Sequence, residues 1–129
     1  MAEHNELGKI GENLTKTFLM KQGFQVLETN YRTKYGEIDI IAKKDNKLRF
    51  IEVKSVKVKN FSQIENLWVT PEDNLTKAKW SKFTISIATY LRHKGVSHET
   101  HWQIDLACVY IDTETRQGKV KLLQNVFKD

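Results

Sequence analysis

The stretch from Ile38 to Lys54 limits what this chain can fold into more than any other. Two apolar runs, Ile38-Asp39-Ile40-Ile41-Ala42 and Leu48-Arg49-Phe50-Ile51-Glu52-Val53-Lys54, flank the turn Lys44-Asp45-Asn46-Lys47. β-Branched and aromatic residues fit strands, and an Asx pair suits a tight hairpin, so the two runs pair antiparallel. With Asp45-Asn46 as the loop, Asp39 falls directly opposite Glu52, and Glu37 opposite Lys54, on one face. A register two residues different keeps the shared face, whereas a slip of one breaks it.

Facing carboxylates repel, and the strands around them are apolar. Burial makes such a pair costly unless positive charge sits between its members. Lys54, two residues beyond Glu52, supplies one charge. A hard divalent cation supplies the rest, because Mg²⁺ is held by one or two carboxylates together with phosphate oxygens and waters. That chemistry suits phosphodiester hydrolysis, with the lysine orienting water or neutralising developing charge. The alternative is a cross-strand salt-bridge network at a solvated edge, since structural ion pairs give similar clusters.

Around this hairpin the periodicity is regular. Leu7, Ile10, Leu14 and Phe18 recur at helical spacing, and Gly23 closes that helix. Phe24 to Leu27 reads as a short strand, and residues 57–69 as a loop or irregular extension. Thr70 is a good N-cap with Pro71 at the first helical position and two acids after it. Trp80, Phe83, Ile87 and Leu91 mark the buried stripe of the helix that follows, which ends near Gly95. Trp102 to Ile111 and Val120 to Val126 complete the strands. Helix, three strands, helix and two strands make an α/β sandwich or mixed-sheet domain, neither a bundle nor a barrel.

With 129 residues, the chain is long enough for one domain with its own core, spanning 1–129. It has 21 Lys+Arg against 16 Asp+Glu and a net charge of +5, which favours polyanionic partners. No apolar run approaches the roughly 20 residues of a membrane span. The N-terminal Met1 to Glu6 is too polar for a signal peptide, so a cytoplasmic location is expected. The sequons at Asn13, Asn60 and Asn74 are then chance matches. Cys108, the single cysteine, lies in an apolar run and reads as a buried small hydrophobe.

Gly11-Glu12, Phe18-Leu19, Gly23, Asn30-Tyr31-Arg32, Gly36 to Ala42 and Phe50 to Lys54 together resemble the YraN-like family of bacterial endonuclease-like proteins. Lys79, Ala88, Tyr90-Leu91 and Ile104-Asp105 extend the likeness over most of the chain. That family is similar to archaeal Holliday-junction resolvases and has the restriction-endonuclease-like, PD-(D/E)xK fold. The resemblance implies a mixed β-sheet of about five strands flanked by α-helices. It implies Mg²⁺ or Mn²⁺ on Asp39, Glu52 and the Val53 carbonyl, Lys54 as catalytic lysine, and Glu12 as a further acid from the first helix. Thr15 stands where the family usually has alanine. Ser55-Val56 replaces a customary arginine, and Trp102-Gln103 an arginine-phenylalanine pair. Two phosphate contacts are therefore expected either to be missing or to shift to Lys57 and Lys59.

Arg32 and Lys79 are further candidates for nucleic-acid contact, and Lys77, Lys82 and Arg92-His93-Lys94 add basic charge along the second helix. A surface arginine and a solvated helix face are the plainer alternatives. Trp80 and Trp102 lie in periodic apolar patterns and are expected in the core. His98 and His101 lack the cysteines and the helix a zinc site would need. The resulting expectation is a metal-dependent endonuclease acting on DNA, including branched or repair intermediates, and the likeness to resolvases implies a homodimer. The rival expectations are a nucleic-acid-binding module of the same fold that does not cleave, and a purely structural domain.

Overall fold

The computed structural model describes residues 2–59, 61 and 77–126. Helix α1 (Ala2–Lys21) leads into β1 (Gln25–Thr33), β2 (Gly36–Lys44) and β3 (Lys47–Val58). Helix α2 (Lys77–His93), β4 (His101–Asp112) and β5 (Gly118–Leu123) follow. One sheet contains all five strands in the order β1-β2-β3-β4-β5. Its neighbours are antiparallel except β3 and β4, which run parallel with α2 between them in sequence. Parallel neighbours require such a crossover. This is the expected mixed sheet flanked by helices, consistent with a restriction-endonuclease-like arrangement.

Both helices end as their glycines dictate. Gly23 has φ +87° and Gly95 φ +61°, the left-handed conformation an L side chain resists. The Phe24 amide then donates to Leu19 O at 2.9 Å, and the Val96 amide to Leu91 O at 2.9 Å. Those bonds satisfy carbonyls the helices leave orphaned, and they turn an apolar residue back against the helix it follows.

The helices cover opposite faces of the sheet. Leu19 of α1 packs with Phe24, Ile40, Ala42, Ile51 and Ala107. Phe83, Ile87 and Tyr90 of α2 pack with Ile38, Ile41, Leu48, Phe50 and Ile104. β4, covered on both faces and paired on both edges, is buried from Gln103 to Asp112, which is why its sequence is almost unbroken in apolar residues. Cys108 belongs to a third cluster with Val58, Leu106 and Tyr110. Burial pushes its thiol pKa up, so it stays a protonated hydrophobe as expected.

Several boundaries differ from the sequence expectation. β1 continues past Leu27 to Thr33, because Tyr31 stacks edge-on against Tyr90 at 5.1 Å and anchors this mostly polar edge strand. Lys57 and Val58 are strand and not loop, because β4 pairs with β3 over its whole length. The last strand spans Gly118–Leu123 and is over before Val126. The Thr70-Pro71 helix start, and residues 60 and 62–69 of the expected loop, lie outside the described residues.

Trp80 packs half-buried against the α2 cluster, as expected. Trp102 does not follow its pattern. It is 39% exposed, in edge-to-face contact with Phe50 on one side and bordering an open groove at the end of α2 on the other.

Candidate metal centre

The site begins where the hairpin opens. Asp45 and Asn46 adopt φ of 54° and 59°, the paired left-handed geometry of a two-residue hairpin loop. The pairing they set runs from Lys44↔Lys47 to Ile40↔Ile51, which is the register read from the sequence. The ladder stops one step short of Asp39 and Glu52. There the Val53 amide donates to Asp39 Oδ2 at 2.8 Å, so a side chain takes the bond a strand carbonyl would have accepted. Ile38 packs with the α2 cluster and Ile40 with the α1 cluster, so the alternation of faces breaks across Asp39. In a strand the N–H and C=O of one residue point the same way. The Val53 carbonyl therefore faces the gap that Asp39 occupies.

Helix α1 delivers the second carboxylate. Gly11 sits against β3, where a Cβ would overlap the Ser55 side chain. Thr15, one turn on, is fully buried and spends its hydroxyl on Gly11 O at 2.7 Å. This close packing holds Glu12 over the open end of the hairpin. Carboxylate oxygens of Glu12, Glu37 and Asp39 lie within 4.8 Å of one another, all three side chains half-buried. Among the described residues this is the one group of three or more side chains fit to hold a metal ion.

Glu52 stands beside this trio and not within it. Its Oε1 lies 3.6 Å from Lys79 Nζ, at the described start of α2. Its charge still acts on Asp39. Burial, then Glu52, then Glu12 and Glu37 push the Asp39 pKa up to about 7, against the lowering effect of the Val53 amide. Burial also raises Glu52, with Lys79 and Lys54 opposing it. A cavity of about 160 Å³ is lined by Glu37 and Glu52 together with Tyr35, Lys79, Lys82 and Ser86. Three carboxylates within reach of one ion, with a fourth beside them, are a donor set suited to a hard divalent cation such as Mg²⁺ or Mn²⁺.

This geometry predicts a pH dependence. An acid whose folded pKa lies above its unfolded value binds more protons folded than unfolded, so stability falls as pH rises between the two values. For Asp39 that window runs from 3.8 to about 7. A bound cation must displace the same proton, so its affinity climbs over the window and levels off above it. Adding Mg²⁺ or Mn²⁺ is expected to raise the melting temperature much more at pH 8 than at pH 5.5. Thermal scans with and without the ion measure this, and an equal shift at both values would contradict the carboxylate centre.

The other sequence candidates divide. Lys54 is exposed and close enough to affect Glu52. Arg32 lies 3.9 Å from Glu37 with its side chain 85% exposed, a weak pair at the rim. Lys57 lies instead in a separate cavity of about 130 Å³, with Glu6, Asp112 and Arg116. Five positions along β3 from Glu52 is roughly 16 Å, and Lys59 lies further still. Neither is brought to the acids. Glu37, which the hairpin register placed opposite Lys54, joins Glu12 and Asp39. Its signal in the sequence was a second acid two residues before Asp39.

A model of the family described as "Uncharacterised protein family UPF0102" matches residues 11–109. A UPF0102 protein of Campylobacter fetus subsp. fetus is 39% identical over 116 residues, covering 90% of this chain and 88% of that protein. One from Flavobacterium psychrophilum is 33% identical over 127 residues, 98% of each. One from Campylobacter jejuni subsp. doylei is 42% identical over 105 residues, covering 81% and 84%. The matched span holds Glu12, Glu37, Asp39, Glu52 and Lys54 alike, and the chain belongs to the UPF0102 family, the YraN family that its motifs resemble.

Proposed function

We propose that this protein is a metal-dependent nuclease that hydrolyses phosphodiester bonds in DNA, branched or repair intermediates among its substrates. The convergence of Glu12, Glu37 and Asp39 at the open end of the β2–β3 hairpin carries the reading. Asp39, Glu12 and Glu37 would hold Mg²⁺ or Mn²⁺, with the Val53 carbonyl as a neutral donor and Glu52 joining when it parts from Lys79. When bound, such an ion supplies Lewis-acid polarisation of a phosphate oxygen and lowers the pKa of a nearby water.

The protein's own groups do the rest. Lys54, two positions beyond Glu52, contacts the scissile phosphate and offsets the negative charge that builds there. Lys79 exchanges Glu52 for a phosphate oxygen, and Arg32 meets the strand at the rim. Glu12, on the helix side, would take the proton of the attacking water on the carboxylate oxygen left free of the ion as the new P–O bond forms, and a solvent water would protonate the alkoxide released as the ester P–O bond breaks. Lys57 and Lys59 lie too far along β3 for that phosphate, so any contact they make is with more distant backbone. A net charge of +5 draws the polyanion in.

One observation favours a second reading, a nucleic-acid-binding module that does not cleave. The Lys79–Glu52 ion pair, at 3.6 Å, occupies a carboxylate that catalysis would need.

A single assay separates the two. Purified protein is incubated with linear, single-stranded and four-way-junction DNA, in Mg²⁺, in Mn²⁺ and in EDTA. Ion-dependent cutting that Lys54→Ala abolishes is the expected result. Cutting that survives Lys54→Ala belongs to a contaminant and removes the assigned site. Binding without cutting on every substrate establishes the module instead. Sedimentation of the same sample tests the homodimer implied by the likeness to resolvases. Among the described residues no helix is long and apolar enough to cross a membrane.

A further inference from the structure

We propose that a second nucleic-acid contact lies away from the carboxylates, in the groove between the end of α2 and the start of β4, where Trp102 stacks on an unpaired base. The groove is open, about 670 Å³ in volume, and Trp102 borders it. Leu91, Val96 and Ala88 supply aliphatic wall, and Arg92 and His98 supply cationic or hydrogen-bonding groups. None of the described residues lining it is acidic.

Trp102 is built as a platform. Its ring meets the fully buried Phe50 edge-on, with centroids 5.7 Å apart and planes at 83°. The core therefore fixes the orientation of a ring that remains 39% exposed. Trp102 shares the groove with Arg92, and an exposed aromatic ring with an arginine is what single-stranded nucleic acid uses: a surface for one base and a cation for the adjoining phosphate. Every base has a π-face, so such a contact tolerates any sequence.

Position links the groove to the proposed active site, on whose nucleic-acid substrate this inference rests. Helix α2 carries Lys79 and Lys82 at the carboxylate end and Arg92 at the groove end. From Lys79 to Arg92 the helix rises roughly 20 Å. A stacked strand advances about 3.4 Å per nucleotide, so roughly six nucleotides span the two sites. The groove therefore holds a single-stranded tail while the carboxylates hold the phosphate at its junction.

The test measures binding of a fluorescein-labelled oligothymidylate of about twelve nucleotides, long enough for both sites, by anisotropy in EDTA. Trp102→Ala is expected to weaken binding roughly five- to hundredfold, the effect of losing one base–aromatic stack, and Trp102→Phe to stay within about threefold of wild type. Ala88→Glu, at an exposed position in the groove wall, places a carboxylate there without touching the core and is expected to weaken binding most at low salt. It keeps the test decisive if Trp102→Ala unfolds.

Unchanged binding in Ala88→Glu and in folded Trp102→Ala overturns the proposal. So does a Trp102-dependent dimer in sedimentation with no effect on the oligonucleotide, which would assign the groove to a second copy. Cleavage is scored in parallel. A protein that binds through Trp102 but cuts nothing keeps this site and loses the nuclease reading. One that cuts, with both variants binding normally, loses this site alone.

Discussion

Asp39→Asn is expected to abolish ion-dependent cleavage and, in the same protein, to raise the ion-free melting temperature at pH 8. The first effect follows from charge. Outer-shell changes around metal ligands typically cost 10–100-fold in affinity or activity, so loss of a central anionic donor is expected to cost more than about a hundredfold. The second follows from where Asp39 sits. Its pKa, pushed up to about 7 by burial and by Glu52, Glu12 and Glu37, makes the ionised form a burden on the folded state at pH 8. Asparagine keeps an oxygen to accept from the Val53 amide, a bond of 2.8 Å, and brings no charge to three neighbouring acids. At pH 5 Asp39 is mostly protonated when folded, so the gain shrinks there. Thermal scans at both pH values and cleavage in Mn²⁺ check the pair of effects. A variant that loses stability at pH 8 would mean that the carboxylate is structural, and the metal centre would have to be abandoned.

That opposition between stability and function explains why part of the site could be read in advance. Two acids in otherwise apolar strands break the local rule, and such breaks tend to mark functional positions. The Asx loop carried the register correctly as far as Ile40↔Ile51, because turn geometry fixes pairing nearby. It misled beyond that point. Extrapolated, the same register sets Glu37 against Lys54, whereas Glu37 turns to Glu12 and Asp39. A ladder holds only while both strands want each other. β3 keeps its parallel partner β4 to Val58, and β2 keeps β1 to Gly36, so the two part between them. No residue pattern within the hairpin announces that parting.

Glu12 could be placed only through family likeness, since a lone helix acid usually faces solvent. The packing that positions it is carried by Gly11 and Thr15, residues that are easily passed over in the sequence. Trp102 failed for the opposite reason. Its place in an apolar run suggested burial, but it stands at the start of β4, bordering the open groove beside the end of α2, and no pattern within the strand shows that cover stops there.

Arg49 was equally hidden, since arginine in a strand normally marks the solvent face. It is buried because of a partner 56 residues later in the chain, and this sets up the largest expected loss of stability. Asp105, fully buried on β4, lies 3.5 Å from Arg49 Nη1. Its Oδ1 also accepts from Gln103 Nε2 at 2.7 Å and from the Asn125 amide at 2.9 Å. Arg49 in turn donates to Gln124 Oε1 at 2.8 Å, while its Nε is buried without a partner. One carboxylate thus neutralises a cation in the core and ties the segment after β5 to the sheet.

Removing one member of a buried pair leaves the other as an uncompensated charge, which typically costs about 3–5 kcal/mol, whereas replacing both by apolar residues is often nearly neutral. Asp105→Ala is therefore expected to lose about 3–5 kcal/mol of unfolding free energy in urea. The Asn125 amide should lose its protection from hydrogen exchange at the same time. Arg49→Met combined with Asp105→Leu should recover part of the loss, because no charge is then left in the core, although the Gln103 side chain and the Asn125 amide still lack their acceptor. If the double variant is as unstable as Asp105→Ala, the lost hydrogen bonds to Gln103 and the Asn125 amide, and not the stranded arginine, set the cost.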